Sequence, residues 1–213
     1  MSTEYGRLGT EVVQSFRNNN GIFTPKDIYE LDAENKWTNF GQLELIETQT
    51  VSSAVASVDF TAIQETIYNV HFATVNNLLF SNGSGNEILS YQLYESGVLK
   101  TSSYHYAQQF GSSGGSFGEQ RSTGTAYPFL SISAGSSGRD VTNCYVYFYN
   151  LGDSSKYSFA TNHATHAKSD LRFAFSSSVL DITSQVDGIR FRSSNSENIT
   201  QGSISLYGIR FAS

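Results

Sequence analysis

The clearest strand signal in the chain is Tyr145-Val146-Tyr147-Phe148-Tyr149. With a repeat of two, Val146 and Phe148 fall on one side and the three tyrosines on the other, as a strand requires. β-Branched and aromatic residues also favour a pleated surface over a helix. Working outward, the same repeat recurs along the chain. Leu43 and Leu45 alternate with Gln42, Glu44 and Ile46, and Val58 and Phe60 flank Asp59. Tyr68, Val70 and Phe72 stand opposite Asn69, His71 and Ala73, and Tyr91, Leu93 and Glu95 alternate with Gln92 and Tyr94. Leu171, Phe173 and Phe175 alternate with Arg172 and Ala174, Ile189 and Phe191 with Arg190 and Arg192, and Ile204 and Leu206 with Ser203, Ser205 and Tyr207. Clusters such as Ser81-Asn82-Gly83-Ser84-Gly85-Asn86 and Gly152-Asp153-Ser154-Ser155 separate the runs and read as turns. Roughly nine to eleven short strands joined this way predict an antiparallel β-sandwich, jelly-roll-like, over residues 41–213. The Gly- and Ser-rich segment from Phe110 to Tyr127 reads as a long projecting loop.

Residues 1–40 differ in character. The first 23 are polar and Asn-rich, yet Val12, Val13, Phe16, Ile22 and Phe23 are apolar groups that a free tail would waste. Two expectations stand side by side, a disordered terminus and an extended arm that orders on a partner. One short helix follows, over about 25–35: Thr24 is a suitable N-cap, Pro25 takes the first helical position and Asp27 lies in the first turn. Ile28, Leu31 and Trp37 supply its apolar, partner-anchoring side. The predicted organisation is therefore an anchoring arm and helix, 1–40, and a sandwich domain, 41–213.

Composition narrows the function. The 213 residues include 13 Tyr and 15 Phe but only 13 Lys and Arg against 19 Asp and Glu. That is ample material for a core, while the net charge of −6 speaks against nucleic-acid binding. No stretch nears the roughly 18 apolar residues of a membrane span, and the N-terminus lacks signal-peptide character, so a cytosolic site of synthesis is expected. A lone Cys144 forms no intramolecular disulfide and no CxxC zinc site, and on an aromatic strand it is expected to be an inert thiol.

Chemistry-bearing constellations are sparse. His163-x-x-His166, with Asp170, is the one candidate metal set, in a segment that reads as strand end and loop. Glu44 and Asp59 lie on half-buried strands where a raised pKa would suit glycoside hydrolysis, though 19 acidic residues make such pairs common by chance. No GxSxG or phosphate-binding loop occurs, so the expectation is no enzyme, no cofactor and no metal. Tyr91, Tyr94, Tyr104, Tyr106 and Tyr127 lie beside the Gly-Ser loops. Tyrosine joins an apolar ring to a hydroxyl, which suits protein interfaces and sugar stacking. These five are the candidate outward contacts with a host glycan or protein, with loops 81–87 and 110–127.

The run from Leu45 to Thr61, containing Leu45-Ile46-Glu47-Thr48-Gln49-Thr50 and Ser57-Val58-Asp59-Phe60-Thr61, resembles one found in virion proteins of tailed phages, notably those of marine and cyanobacterial hosts. Ile189-Arg190-Phe191 and Gly202-Ser203-Ile204-Ser205-Leu206-Tyr207-Gly208-Ile209 are similar to the last two strands of the same proteins, and Asn20 to Trp37 is similar to the segment that precedes their globular part. Residues of about 75–185 carry no such likeness. The resemblance implies a virion component, docked by its N-terminal part on other virion proteins, with the sandwich displayed outward. A tail-fibre or adhesin subunit is the leading expectation; a capsid decoration protein and, less so, a carbohydrate-active enzyme are the alternatives. Such proteins form symmetric homo-oligomers, with a trimer as the working guess, although no heptad repeat supports it.

Overall fold

The computed structural model describes residues 25–33, 43–81, 87–132, 141–167 and 170–209. Val12, Val13, Phe16, Ile22, Phe23, Trp37 and most of loop 81–87 lie outside them. The chain divides into two units, residues 1–40 and 41–213. In the first, α1 spans Pro25–Ala33 and opens on proline, whose fixed φ and missing N–H suit that position. Leu31 is buried, Ile28 is exposed, and Lys26 pairs with Glu30 one turn on, at 3.5 Å.

The second unit is an antiparallel β-sandwich. Its strands are β1 (Leu43–Val51), β2 (Ser57–Phe60), β3 (Val70–Phe80), β4 (Leu89–Glu95), β5 (Val98–Leu99), β6 (Tyr104–Ser112), β7 (Phe117–Thr125), β8 (Thr142–Tyr149), β9 (Tyr157–Ala167), β10 (Leu171–Thr183), β11 (Gly188–Ser193) and β12 (Ile199–Ile209). One sheet has the order β1-β12-β3-β8-β9-β10-β6-β7 and the other β2-β11-β4-β5. The sets β1-β12-β3-β8 and β2-β11-β4-β5 give the two four-stranded layers of a jelly roll. The pairs β6–β7 and β9–β10 are insertions that widen the first layer.

Alternation works as expected in β8: Val146 and Phe148 are buried, while Tyr145 and Tyr147 face away from the core. Phe148, Phe191, Phe60, Tyr91 and Leu93 meet between the sheets, with Tyr91 edge-on to Phe148 at 5.0 Å. Tyr91 and Tyr104 are thus core residues, a correction to their expected outward role. The Tyr91 hydroxyl meets the Ser178 hydroxyl at 2.9 Å, and the Tyr104 hydroxyl accepts the Leu93 N–H at 2.7 Å. Each hydroxyl joins one sheet to the other, so burial leaves neither of these two phenols unpaired.

Two more expectations change. Residues 110–127 are no projecting loop: they complete β6, turn, and return as β7 on the sheet edge. No residue of β7 is fully buried, and its sequence, Phe-Gly-Glu-Gln-Arg-Ser-Thr-Gly-Thr, lacks the apolar alternation of a half-buried strand. On β10, Leu171, Phe173 and Phe175 share a face, but it is the outer one; Ala174, Ser176, Ser178 and Leu180 point inward. The inward polar groups are used. Asn162 donates to the Leu130 carbonyl at 2.6 Å, Ser176 to the Phe129 carbonyl at 3.0 Å and Gln108 to the Ser131 carbonyl at 3.3 Å. They hold the non-strand segment 126–132 across the inner face of the inserted strands.

Candidate binding face

The outer face of the eight-stranded sheet carries a continuous line of aromatic rings. Strand register places Tyr207 opposite Phe72 and Phe72 opposite Tyr147; Tyr145 is opposite His163, and His163 opposite Phe175. The rings touch in sequence. Phe72 lies 6.1 Å from Tyr207 and 4.6 Å from Tyr147, Tyr145 lies 5.7 Å from His163, and His163 stacks on Phe175 at 4.4 Å. Phe175 then meets Phe173 at 5.4 Å, and Phe173 meets Phe117 at 6.5 Å. That last contact spans β6 because Gly111 sits between the two, where a Cβ would come within 2.8 Å of Phe173 and 2.9 Å of Phe117. Six strand spacings of about 4.8 Å make the line roughly 30 Å long. Phe117 is 78%, Phe175 51% and Tyr145 44% exposed. Single exposed rings are ordinary, whereas a contiguous row marks an interaction surface.

Beside Phe175, the sheet surface dips into a trough over β9, β10, β6 and β7. Two adjoining hollows, of about 720 Å³ and about 380 Å³, share Ala107, Arg121 and Ser177. Phe159 lines the first and Phe175 the second. Arg121 pairs with Glu119 on β7, and His105 on β6 with Asp181 just across on β10, each at 3.6 Å.

The tyrosines singled out from the sequence do not form one outward cluster. Tyr106 is buried against Phe129 at 5.0 Å. Tyr94 is half-exposed, donates to Asp59 at 2.9 Å and lies under the Arg190 guanidinium. Tyr127 donates to the Ser194 carbonyl at 2.7 Å and lies under Arg192. The surface rings that sequence reasoning passed over, Phe117, Phe159, Phe173 and Phe175, were visible as apolar residues in runs whose other face was small or hydroxylic.

The metal candidates are not brought together. His163 and His166 both lie on β9, where an odd spacing turns them to opposite faces: His163 joins the ring line and His166 is buried. Among the described residues no group of three His, Cys, Asp or Glu side chains is placed to hold a metal. At Asp59, burial pulls the carboxyl pKa up, but hydrogen bonds from Arg190 (2.5 Å), Ser57 (2.8 Å) and Tyr94 outweigh it and hold the pKa below the ordinary value. That is the reverse of what a general acid needs. Burial pushes the Cys144 thiol far up, as an inert core thiol requires. Compared with known proteins, the chain matches no family model, no curated protein and no solved structure.

Proposed function

We propose that the protein is a non-enzymatic component of a tailed-phage particle, a tail-fibre or adhesin-type subunit whose sandwich is displayed outward and contributes to host attachment. The observation that carries the proposal is the row of half-exposed rings on the outer sheet face, from Tyr207 to Phe117. It supplies a broad recognition surface in place of the five tyrosines first expected to provide one. The virion setting comes from the likeness of residues 45–61, 189–191 and 202–209 to virion strands. Residues 1–40 would dock the chain on other virion proteins.

Adsorption of the phage that encodes this chain tests the proposal. Antibodies against the sandwich should block adsorption, and immunogold should label the tail; unhindered adsorption with no label on the particle removes it. A second reading, a capsid decoration protein, is favoured by Leu43 and Leu45, which stand 51% and 59% exposed on edge strand β1 where a neighbouring shell subunit could cover them. Gold over the head would select it.

A further inference from the structure

We propose that the trough over β9, β10, β6 and β7 binds a neutral oligosaccharide segment of a few sugar rings. The proposal rests on the attachment reading for the source of such a glycan, a cell surface; its chemistry is argued from the trough alone.

The trough sits on the strands the jelly roll does not need. β1-β12-β3-β8 and β2-β11-β4-β5 close the sandwich without β6, β7, β9 and β10. The inner face of the insertions is pinned to segment 126–132 by Asn162, Ser176 and Gln108. Their outer face is therefore a supported platform with no structural task of its own.

Side-chain size cuts the channel. Thr161, Ser177 and Ala107 lie directly opposite one another on β9, β10 and β6 and form a low floor. Two residues away on either side stand larger groups, Phe159 with His105 on one wall and Phe175 with Gln109 on the other. Phe159 is 45% exposed and Phe175 51%, so each offers ring surface to a ligand. Two strand spacings of ~4.8 Å by four residues of ~3.3 Å give a floor of roughly 10 by 13 Å, closed on the β7 side by Arg121. A stable contact with a second copy of this chain needs about 800 Å² per partner, several times that floor. The space suits a short ligand held between two rings, within the usual volume of a ligand pocket.

Charge selects the class. Arg121 is balanced by Glu119, and the Asp181 carboxylate stands beside His105, so a phosphorylated or sulfated chain would meet at least as many carboxylates as cations. Hydroxyl and amide groups, Ser177 and Gln109, supply neutral donors and acceptors. A sugar ring presents an apolar C–H face and a hydroxyl edge. It matches walls of phenyl rings over a floor of hydroxyls.

The test is titration of the isotope-labelled full chain with neutral hexasaccharides of glucose, mannose, galactose and N-acetylglucosamine, read by amide NMR, with a heparin hexasaccharide as the anionic control. At least one neutral probe should move the signals of Ala107, Thr161 and Ser177. Phe159→Ala and Phe175→Ala should each weaken that binding about tenfold. Ser177→Trp, which fills the floor from its exposed side, should abolish binding with the melting temperature unchanged; Val98→Ala, on the other sheet, should leave it intact. The proposal is overturned if no neutral probe binds at about 10 mM, if heparin alone binds, if the trough variants bind like wild type, or if the trough signals respond only to protein concentration as in self-association. Neutral-glycan binding by a chain that labels nowhere on the particle would remove the attachment reading alone. A virion-located chain that binds no neutral probe would remove this proposal alone.

Discussion

Half-buried Asp59 and buried His71 show how single polar groups set the pH range of this fold. Burial lowers the His71 pKa below its ordinary 6.5; the Ile63 carbonyl, accepting from Nε2 at 2.8 Å, and the Glu65 charge oppose that less strongly. A histidine with a depressed folded pKa is neutral in the native state while the unfolded chain takes up a proton, so stability is full above about pH 6.5 and falls as pH drops toward the folded value. Asp59 also has a depressed folded pKa, so its contribution is full above 3.8 and lost as pH falls below that. Urea unfolding across pH should therefore show two descending windows, one starting near pH 6.5 and one below about pH 4. His71→Gln should flatten the first. Asp59→Asn should flatten the second and cost about 1–2 kcal/mol at neutral pH, because it leaves Arg190 without its carboxylate. An unchanged slope in either variant refutes the corresponding assignment.

Among the elements, edge strand β1 is held by a device no local pattern reveals. Tyr68, just before β3, lays its ring on Gly208 of β12 and donates its hydroxyl to Glu44 of β1 at 2.7 Å. A Cβ at position 208 would lie 2.2 Å from that ring. Gly208→Ala should expel the ring and cost about 3 kcal/mol by chemical denaturation. Gly115→Ala, in the β6–β7 turn, meets nothing within 4 Å and pays only for its φ of +87°. Its cost should be about 1 kcal/mol; equal losses at both sites would show that Tyr68 is no pin. The helix start at Pro25 was legible because proline and the neighbouring N-cap are local signals. β8 was legible because half-burial leaves a clean alternation. β7 was not: a strand with no fully buried residue carries no apolar alternation, and its Gly, Ser and Thr look like loop. β10 was half legible, because alternation reports that two faces differ but not which of them turns to the core. Phe173 and Phe175 face outward, while the inner side that segment 126–132 crosses carries the small Ala174, Ser176 and Ser178 before Leu180 enters the core.

For the whole molecule, the core cluster among the described residues runs from Val51 onward, with Ile46 packed against it. A fragment of residues 41–213 should therefore unfold cooperatively with a melting temperature within about 3 °C of the full chain. A broad or strongly lowered transition would mean that residues 1–40 are part of the folding unit. The amino-acid sequence by itself determined an all-β chain with one short helix near its start, a core of alternating aliphatic and aromatic residues, and a buried lone thiol. Period, turn chemistry and composition act over a few residues, and the chain carries them openly. Only the tertiary structure decided that Tyr91 and Tyr104 bridge the sheets from within and that Phe159 and Phe175 face outward across a trough. Only it showed that His163 and His166 look to opposite sides, and that four inserted strands widen one layer. Those outcomes depend on strand order and on which side a distant segment covers, and residues far apart in the chain settle them together.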